Sequence, residues 1–315
     1  MTPAEKILRE EIAAAGPIPF SRFMSVALYH PEFGYYRRAH DPFGRKGDFY
    51  TAEQLQPVFG RLIRSLIHLL ASEIGDAPDL TVVELGAGRK EMEPYLSEFR
   101  YIPVDLAYGA LPESFQGVVF ANEFFDALPV DLRVVKGGRL FERNVGVIDT
   151  RLAFVDGVHI REEAGLADGT IVEIRPEAER WLERISTCLT KGFVITVDYG
   201  YTRREQLRFR SGSLMSYHRH QALEDVLSDP GERDITAHVS FTDLQEAGEK
   251  LSLTTRSFET LGQVLVRAGK ADNFESVLRA SGEGESLHLR MQLKALLFGM
   301  GETFRVLVQE QCRRG

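Results

Sequence analysis

Residues 118–130, VVFANEFFDALPV, constrain the fold most, because a β-branched and aromatic run opens directly onto Asn122, Glu123 and Asp126. An apolar strand followed at once by amide and carboxylate groups is how an α/β protein presents polar side chains at the carboxyl end of its sheet, where such folds bind ligands. A second unit of the same kind lies upstream. Residues 81–88, TVVELGAG, carry the acidic Glu84 into a glycine turn. Together the two units outline a nucleotide-type pocket.

The surrounding pattern agrees. A strand over 80–85, a short helix near 90–98, strands over 101–105 and 117–121 and a short helix near 123–128 alternate as a mostly parallel sheet requires. Residues 53–74 repeat apolar side chains at three- and four-residue steps and predict an amphipathic helix. Before them, residues 3–15 and 22–29 read as helices, the second capped by Ser21, and Tyr29 to Phe49 reads as a long ordered loop rich in aromatics, Gly and Pro. From 131 to 175, short strands parted by Gly-Gly and Asp-Gly predict an antiparallel meander inserted into the sheet domain. Residues 176–190 return to helix, and the strand GFVITVD ends on Asp198. Residues 201–239 read as polar loop, 240–250 as helix and 304–308 as a closing strand. The expected organisation is an N-terminal helical segment and loop over 1–46 and a sheet domain over 47–315. The meander (131–175) and the loop region (201–239) lie inside that domain.

A net charge of −8 over 315 residues argues against a general grip on nucleic acid, which relies on clustered Lys and Arg. Only Cys188 and Cys312 are present, so neither a disulfide framework nor a zinc spacing is suggested, and no metal site is expected. No run is long enough to span a bilayer, and the first twenty residues lack the character of a signal or transit peptide. These features predict a cytoplasmic protein with no membrane partner; a homodimer is compatible with the sequence.

In Glu84-Leu85-Gly86-Ala87-Gly88 the glycines let backbone pass close to a ligand. Asp105 ends the next strand about 20 residues on, the spacing at which a carboxylate takes both hydroxyls of a ribose. Asp105 capping its own turn is the structural alternative. A dinucleotide would want G-x-G-x-x-G, whereas the run is GAGRKEM, with no third glycine to shape a pyrophosphate cradle. S-adenosylmethionine, which carries no phosphate, fits better.

At this point the chain resembles the MidA family of class I methyltransferases, related to the mitochondrial complex I assembly factor that methylates an arginine of a core subunit. The matching stretches are FMSVALYHPEFGYY (23–36), GDFYT (47–51), VFG (58–60), VELGAGR (83–89), ANEFFDALPV (121–130), VDYGY (197–201), GSLMSYHRH (212–220), DITAHVSF (234–241) and GMGETFRVL (299–307), in the family's order. The resemblance implies a Rossmann-like α/β fold, S-adenosylmethionine as cofactor and a protein substrate with an accessible arginine. It puts Asp48, Thr51, Glu84, Gly86, Ala87, Gly88, Asp105 and Asn122 on the cofactor side. The departures fall on that side too. The family's G-P-G-R-G-T is Gly86-Ala87-Gly88-Arg89-Lys90-Glu91 here, so a lysine stands at the third glycine. If that position needs φ > 0, the lysine costs of order 1 kcal/mol. Arg89 or Lys90 pairing with the cofactor carboxylate is the alternative reading of the change.

Methyl transfer from a sulfonium is an in-line displacement that asks the protein mostly to position the acceptor nitrogen. A guanidinium stays protonated, with a pKa above about 12, so carboxylates must hold it. Glu123 and Asp126, three apart on the expected helix, are the candidate acceptor acids, with Asp126 as a first-turn helix acid the structural alternative. His238 is a candidate proton acceptor, a structural hydrogen bond being its alternative. His218 and His220 suit backbone or substrate better than metal. Phe49, Tyr50, Phe124 and Phe125 are candidates for a lid or a cation–π wall, with core packing the alternative for Phe124. Two further functions stay open: a family member without efficient turnover that acts as a binding or assembly factor, and a methyltransferase for a small-molecule acceptor.

Overall fold

The structure is a computed structural model that describes residues 1–38, 56–75, 80–218 and 221–312. Of the expected site residues, Asp48 and Thr51 lie outside the described residues, as do Phe49, Tyr50 and His220. Chain contacts divide the described parts into two units. One draws on Met1–Tyr50, Ala127–Ala178 and Arg203–His238, the other on Thr51–Asp126, Glu179–Thr202 and Val239–Gly315.

The second unit is built on a seven-stranded sheet. Thr81–Leu85 lies between Arg100–Val104 and Phe115–Asn122, parallel to both. Phe115–Asn122 pairs in parallel with Leu189–Tyr201. That strand pairs antiparallel with Phe304–Cys312, which is itself antiparallel to Leu253–Thr260. Two reversals restore the common direction, so Phe304–Cys312 is the strand that runs against the rest. Val239–Ser240 adds a short parallel pairing at Gly200 and Tyr201. Every residue of Thr81–Leu85 is buried, as continuous apolar strands covered on both faces should be.

The order of the strands fixes where a ligand can enter. The chain leaves Thr81–Leu85 to form Arg100–Val104 on one side of it and returns as Phe115–Asn122 on the other. The connections therefore diverge between Thr81–Leu85 and Phe115–Asn122, and the crevice beyond their carboxyl ends is the topological switch point.

The expected amphipathic helix is Val58–Ile74, preceded by Pro57 and ended by Gly75 at φ 102°. Its buried positions, among them Phe59, Leu62, Ile63, Leu66 and Ile67, recur at three and four residues and join Phe120, Ile195 and Val197 of the sheet in one core. Each such side chain contributes about 1.5–3 kcal/mol by burial. The expected helix near 90–98 shrinks to Glu93–Leu96. Lys90 at φ 59° is the reason, since a left-handed residue cannot sit inside a right-handed helix.

The first unit holds the antiparallel meander: Asp131–Lys136, Arg139–Ile148 and Arg151–Glu162 pair in sequence, and Ile171–Ile174 joins Asp131–Lys136. The helices Pro3–Ala15 and Phe20–Tyr29 pack their apolar faces on it through Leu8, Phe20, Phe23 and Val145. Ser21 does not cap the second helix, which starts two residues earlier than expected, at Phe20 after Pro19; the Ser21 hydroxyl donates to Asp131 instead. Residues 201–239 are more ordered than a polar loop. Met215–His218 pairs antiparallel with both Gln221–Leu223 and Asp234–Thr236. Strands of three or four residues carry too few side chains for a period of two to show in the sequence.

Candidate functional site

Two turns flank the switch point. The first follows Thr81–Leu85. Gly86 and Gly88 are left-handed, at φ 69° and 43°, and the amide N–H groups of Gly86 and Ala87 donate to the Val104 carbonyl at 2.9 and 3.3 Å. A β-carbon on Gly86 would sit 3.0 Å from the Phe124 ring, so glycine is required there for both conformation and space. Gly86→Ala is expected to lower stability by about 1–2 kcal/mol in urea unfolding. Gly138→Ala, at φ 70° with nothing within 4 Å, carries the strain without the contact. The loss at Gly86 should exceed that at Gly138; equal losses would mean that the Phe124 contact contributes nothing.

Asp105 follows Arg100–Val104 and faces the same turn. One carboxylate oxygen accepts from Gly88 N–H at 2.8 Å and the other from Leu106 N–H at 2.6 Å. A carboxylate offers about four acceptor positions, so two remain for a diol. The Tyr108 hydroxyl donates to the Gly88 carbonyl at 2.6 Å, and the Lys90 ammonium lies 4.5 Å from the Tyr108 ring centre. Lys90 does occupy a left-handed position, so the missing third glycine carries the backbone cost expected of it. Arg89 lies 3.6 Å from Glu91. Glu84, almost wholly buried, accepts from the Tyr101 hydroxyl on the neighbouring strand.

The second turn follows Phe115–Asn122 and corrects one expectation: residues 123–128 form no helix. Glu123 takes φ 49°, and its N–H donates to the Val197 carbonyl at 2.9 Å, which turns the chain away from helical geometry at once. Glu123 and Asp126 are thus turn residues, not neighbours on a helix face, and the reading of Asp126 as a first-turn helix acid falls with that helix. The Asn122 amide lies 3.4 Å from a Glu123 carboxylate oxygen. Phe124 stacks edge-on against both Phe125 and Trp181, with ring centres 5.3 and 5.1 Å away.

What holds this turn is Asp198, at the end of the adjacent strand and 0% exposed. One of its oxygens accepts from Phe125 N–H at 3.2 Å and Asp126 N–H at 3.3 Å, the other from Tyr199 N–H at 2.9 Å. The Tyr199 hydroxyl donates to the Asp126 carboxylate. Burial pushes the Asp198 carboxyl well above its ordinary range, and the charges of Asp126 and Glu123 push the same way against the backbone donors. A carboxyl that holds its proton more tightly when folded stabilises the fold fully below its unfolded value near 3.8, and that contribution is lost as pH rises through the folded value. Asp198→Asn should remove this dependence. The stability of the native protein relative to the variant is expected to fall as pH rises above 3.8 and through the folded value in denaturant titrations, and a constant difference would contradict the shift. Asp198 and Tyr199 are functional candidates that sequence reasoning missed, although an aspartate ending a fully apolar strand, as in GFVITVD, was a usable signal.

His238 belongs to the other unit and a network of its own. Its N–H donates to the Ser213 hydroxyl at 2.9 Å, its carbonyl accepts from Arg175, and its ring meets Phe209 edge-on at 5.0 Å. Burial lowers its pKa; Glu173 opposes this and Arg175 adds to it. Of His218 only the backbone is described. Among the described residues no cluster of His, Cys, Asp and Glu is placed to hold a metal ion, and no helix is long and apolar enough to cross a membrane.

Comparison with known proteins gives a consistent result. A crystal structure from Burkholderia thailandensis, of a COG1565 superfamily member bound to S-adenosyl-homocysteine, superimposes with a TM-score of 0.86 at 28% identity, covering 99% of this chain and 92% of that one. The human protein arginine methyltransferase NDUFAF7 is 26% identical, the match covering 79% of this chain and 69% of the relative. Its Drosophila melanogaster homolog is also 26% identical, over 75% and 68%. Both relatives are named as mitochondrial, which overturns the expectation of a cytoplasmic protein. Residues 60–259 match the family model described as "Putative S-adenosyl-L-methionine-dependent methyltransferase". The chain belongs to that family, the MidA type of S-adenosylmethionine-dependent methyltransferase with a Rossmann-like α/β fold.

Proposed function

We propose that the protein methylates an arginine side chain of a protein substrate, with Glu123 and Asp126 holding the guanidinium. The observation that carries this reading is the gathering of carboxyl groups, Glu123, Asp126 and Asp198, around one turn at the switch point of the sheet. A cation that stays protonated up to a pKa of about 12 needs such a site, and a neutral acceptor does not. The named activity of the NDUFAF7 relatives supports the same substrate class.

The cofactor side fits the donor. S-adenosylmethionine supplies an electrophilic methyl group on a sulfonium. Gly86 and Gly88 offer a close backbone approach, the half-buried Asp105 offers two acceptor positions for the ribose, and Asn122 stands at the end of the adjoining strand. The next helix is the single turn Glu93–Leu96, five residues past Gly88, so no helix start is placed to cradle a pyrophosphate. Asp48 and Thr51 are proposed for the same side by resemblance alone. The chain's part in the reaction is to orient one guanidinium nitrogen in line with the methyl group and to offset the charge of the proton that leaves. His238 keeps a proposed proton-accepting role on its residue type alone, and burial lowers its pKa. By the resemblance, the substrate is a subunit of the complex I type.

The test is incubation with S-adenosylmethionine carrying a labelled methyl group and arginine-bearing protein fractions, followed by hydrolysis to amino acids. Label in methylarginine supports the reading. Label confined to small molecules moves the acceptor to that class. Binding of S-adenosylhomocysteine without any transfer moves the protein to the binding or assembly role.

A further inference from the structure

Asp126 is gripped twice by two consecutive residues of the neighbouring strand. Its amide N–H is taken by Asp198, and one oxygen of its carboxylate is taken by the Tyr199 hydroxyl. Asp126 is 4% exposed, so both grips act in a region of low dielectric where hydrogen bonds to an ion are strong. Asp198 is itself fixed by three backbone donors, and the Tyr199 ring rests edge-on against Phe304 at 5.6 Å. The grip is therefore held from behind, by the strands Leu189–Tyr201 and Phe304–Cys312.

We propose that Tyr199 and Asp198 are positioning residues for Asp126: Asp198 sets the turn that presents it, and the Tyr199 hydroxyl fixes the orientation of its carboxylate and keeps it ionised. The inference rests on the arginine-methylation reading for its purpose, but the clamp itself can be measured without any substrate. A carboxylate that accepts a hydrogen bond in its charged form titrates lower than one that does not. Other charged groups surround it. The charges of Asp126 and of Glu123 on the same turn both oppose ionisation of Asp198 on the adjacent strand. Arg305, registered opposite Asp198 on Phe304–Cys312, gives a guanidinium N–H to the Glu302 carbonyl at 3.0 Å. The Tyr199 phenol is a donor that favours ionised Asp126.

The experiment is a pH titration of the Asp126 carboxyl carbon by NMR in protein labelled with ¹³C at aspartate Cγ, with Asp126→Asn identifying the signal. Tyr199→Phe keeps the ring and its contact with Phe304, so the fold is retained. The Asp126 titration is expected to move up by about one pH unit in Tyr199→Phe. An unchanged titration would overturn the proposal. In the methylation assay the same variant should lose kcat about 10–100-fold with KM for the peptide little changed, and the acid limb of its pH profile should rise in step. A rate loss with a fixed pH profile would mark Tyr199 as structural only and also overturn the proposal. If the native protein methylates no arginine while the NMR shift is seen, the clamp stands and the substrate reading falls.

Discussion

Asp126→Asn is expected to slow methyl transfer to arginine by about 10²–10⁴-fold while S-adenosylhomocysteine binds as before. The side chain keeps its shape and can still accept from the Tyr199 hydroxyl, so the turn should persist. What is lost, on the proposed arginine reading, is the negative charge beside a guanidinium that cannot give up its proton in advance. At 1.36 kcal/mol per tenfold, the loss is about 2.7–5.4 kcal/mol of transition-state stabilisation. Glu123→Gln should cost less, because Glu123 is only half-buried and water can replace part of its effect. Measurement of kcat and KM against an arginine peptide, with binding of S-adenosylhomocysteine read by calorimetry, checks both. A rate for Asp126→Asn within threefold of the native value would remove Asp126 from the acceptor site. The asparagine also relieves the repulsion that raises Asp198, so Asp198 should become easier to ionise.

The sheet was legible because its signals are local. TVVEL, YIPV, VVFAN and GFVITVD are apolar runs whose burial on both faces follows from composition alone, and alternation with helices dictates parallel pairing. The glycine turn and Asp105 were legible for the same reason, since a strand end, a glycine and an acid at a set spacing are neighbours in the chain. The misses are non-local. NEFFDALP has the composition of a helix start, and only the bond from Glu123 N–H to Val197 and the grip of Asp198 on two amides make it a turn. Those partners lie about 75 residues away in the chain, where no window of sequence could report them. The same holds for Tyr199, whose phenol gains its meaning from Asp126, and for Ser21, whose hydroxyl met Asp131 instead of its own helix. The helices Leu261–Lys270 and Glu283–Ala295 and the strand Leu253–Thr260 are not among the elements expected from the sequence, although Thr260 and Gln263 form a capping box that the sequence spells out.

The largest stability effect is expected at Arg175, in the unit that holds the meander. Arg175 and Glu173 form an ion pair at 2.7 Å with side chains 6% and 1% exposed. Arg175 also donates to the carbonyls of Glu173, at 3.3 Å, and His238. Glu173 takes Ser213 twice, its N–H at 2.5 Å and its hydroxyl at 2.7 Å, and Ser213 in turn accepts from His238 N–H. The pair thus ties the residues at both ends of the 213–238 stretch to the strand Ile171–Ile174. Removing one charge leaves the other buried and uncompensated, which costs about 3–5 kcal/mol, so Arg175→Ala is expected to lose that much in urea unfolding. Removing both should cost far less, because two desolvation penalties leave together: Glu173→Gln/Arg175→Met should retain most of the native stability, since the glutamine can still accept from Ser213. A double variant that loses the sum of the two single losses would show that the charges act independently, and the network would then be no more than a set of separate hydrogen bonds. With the pair gone but the fold intact, His238 keeps its Ser213 contact and loses the donor at its carbonyl.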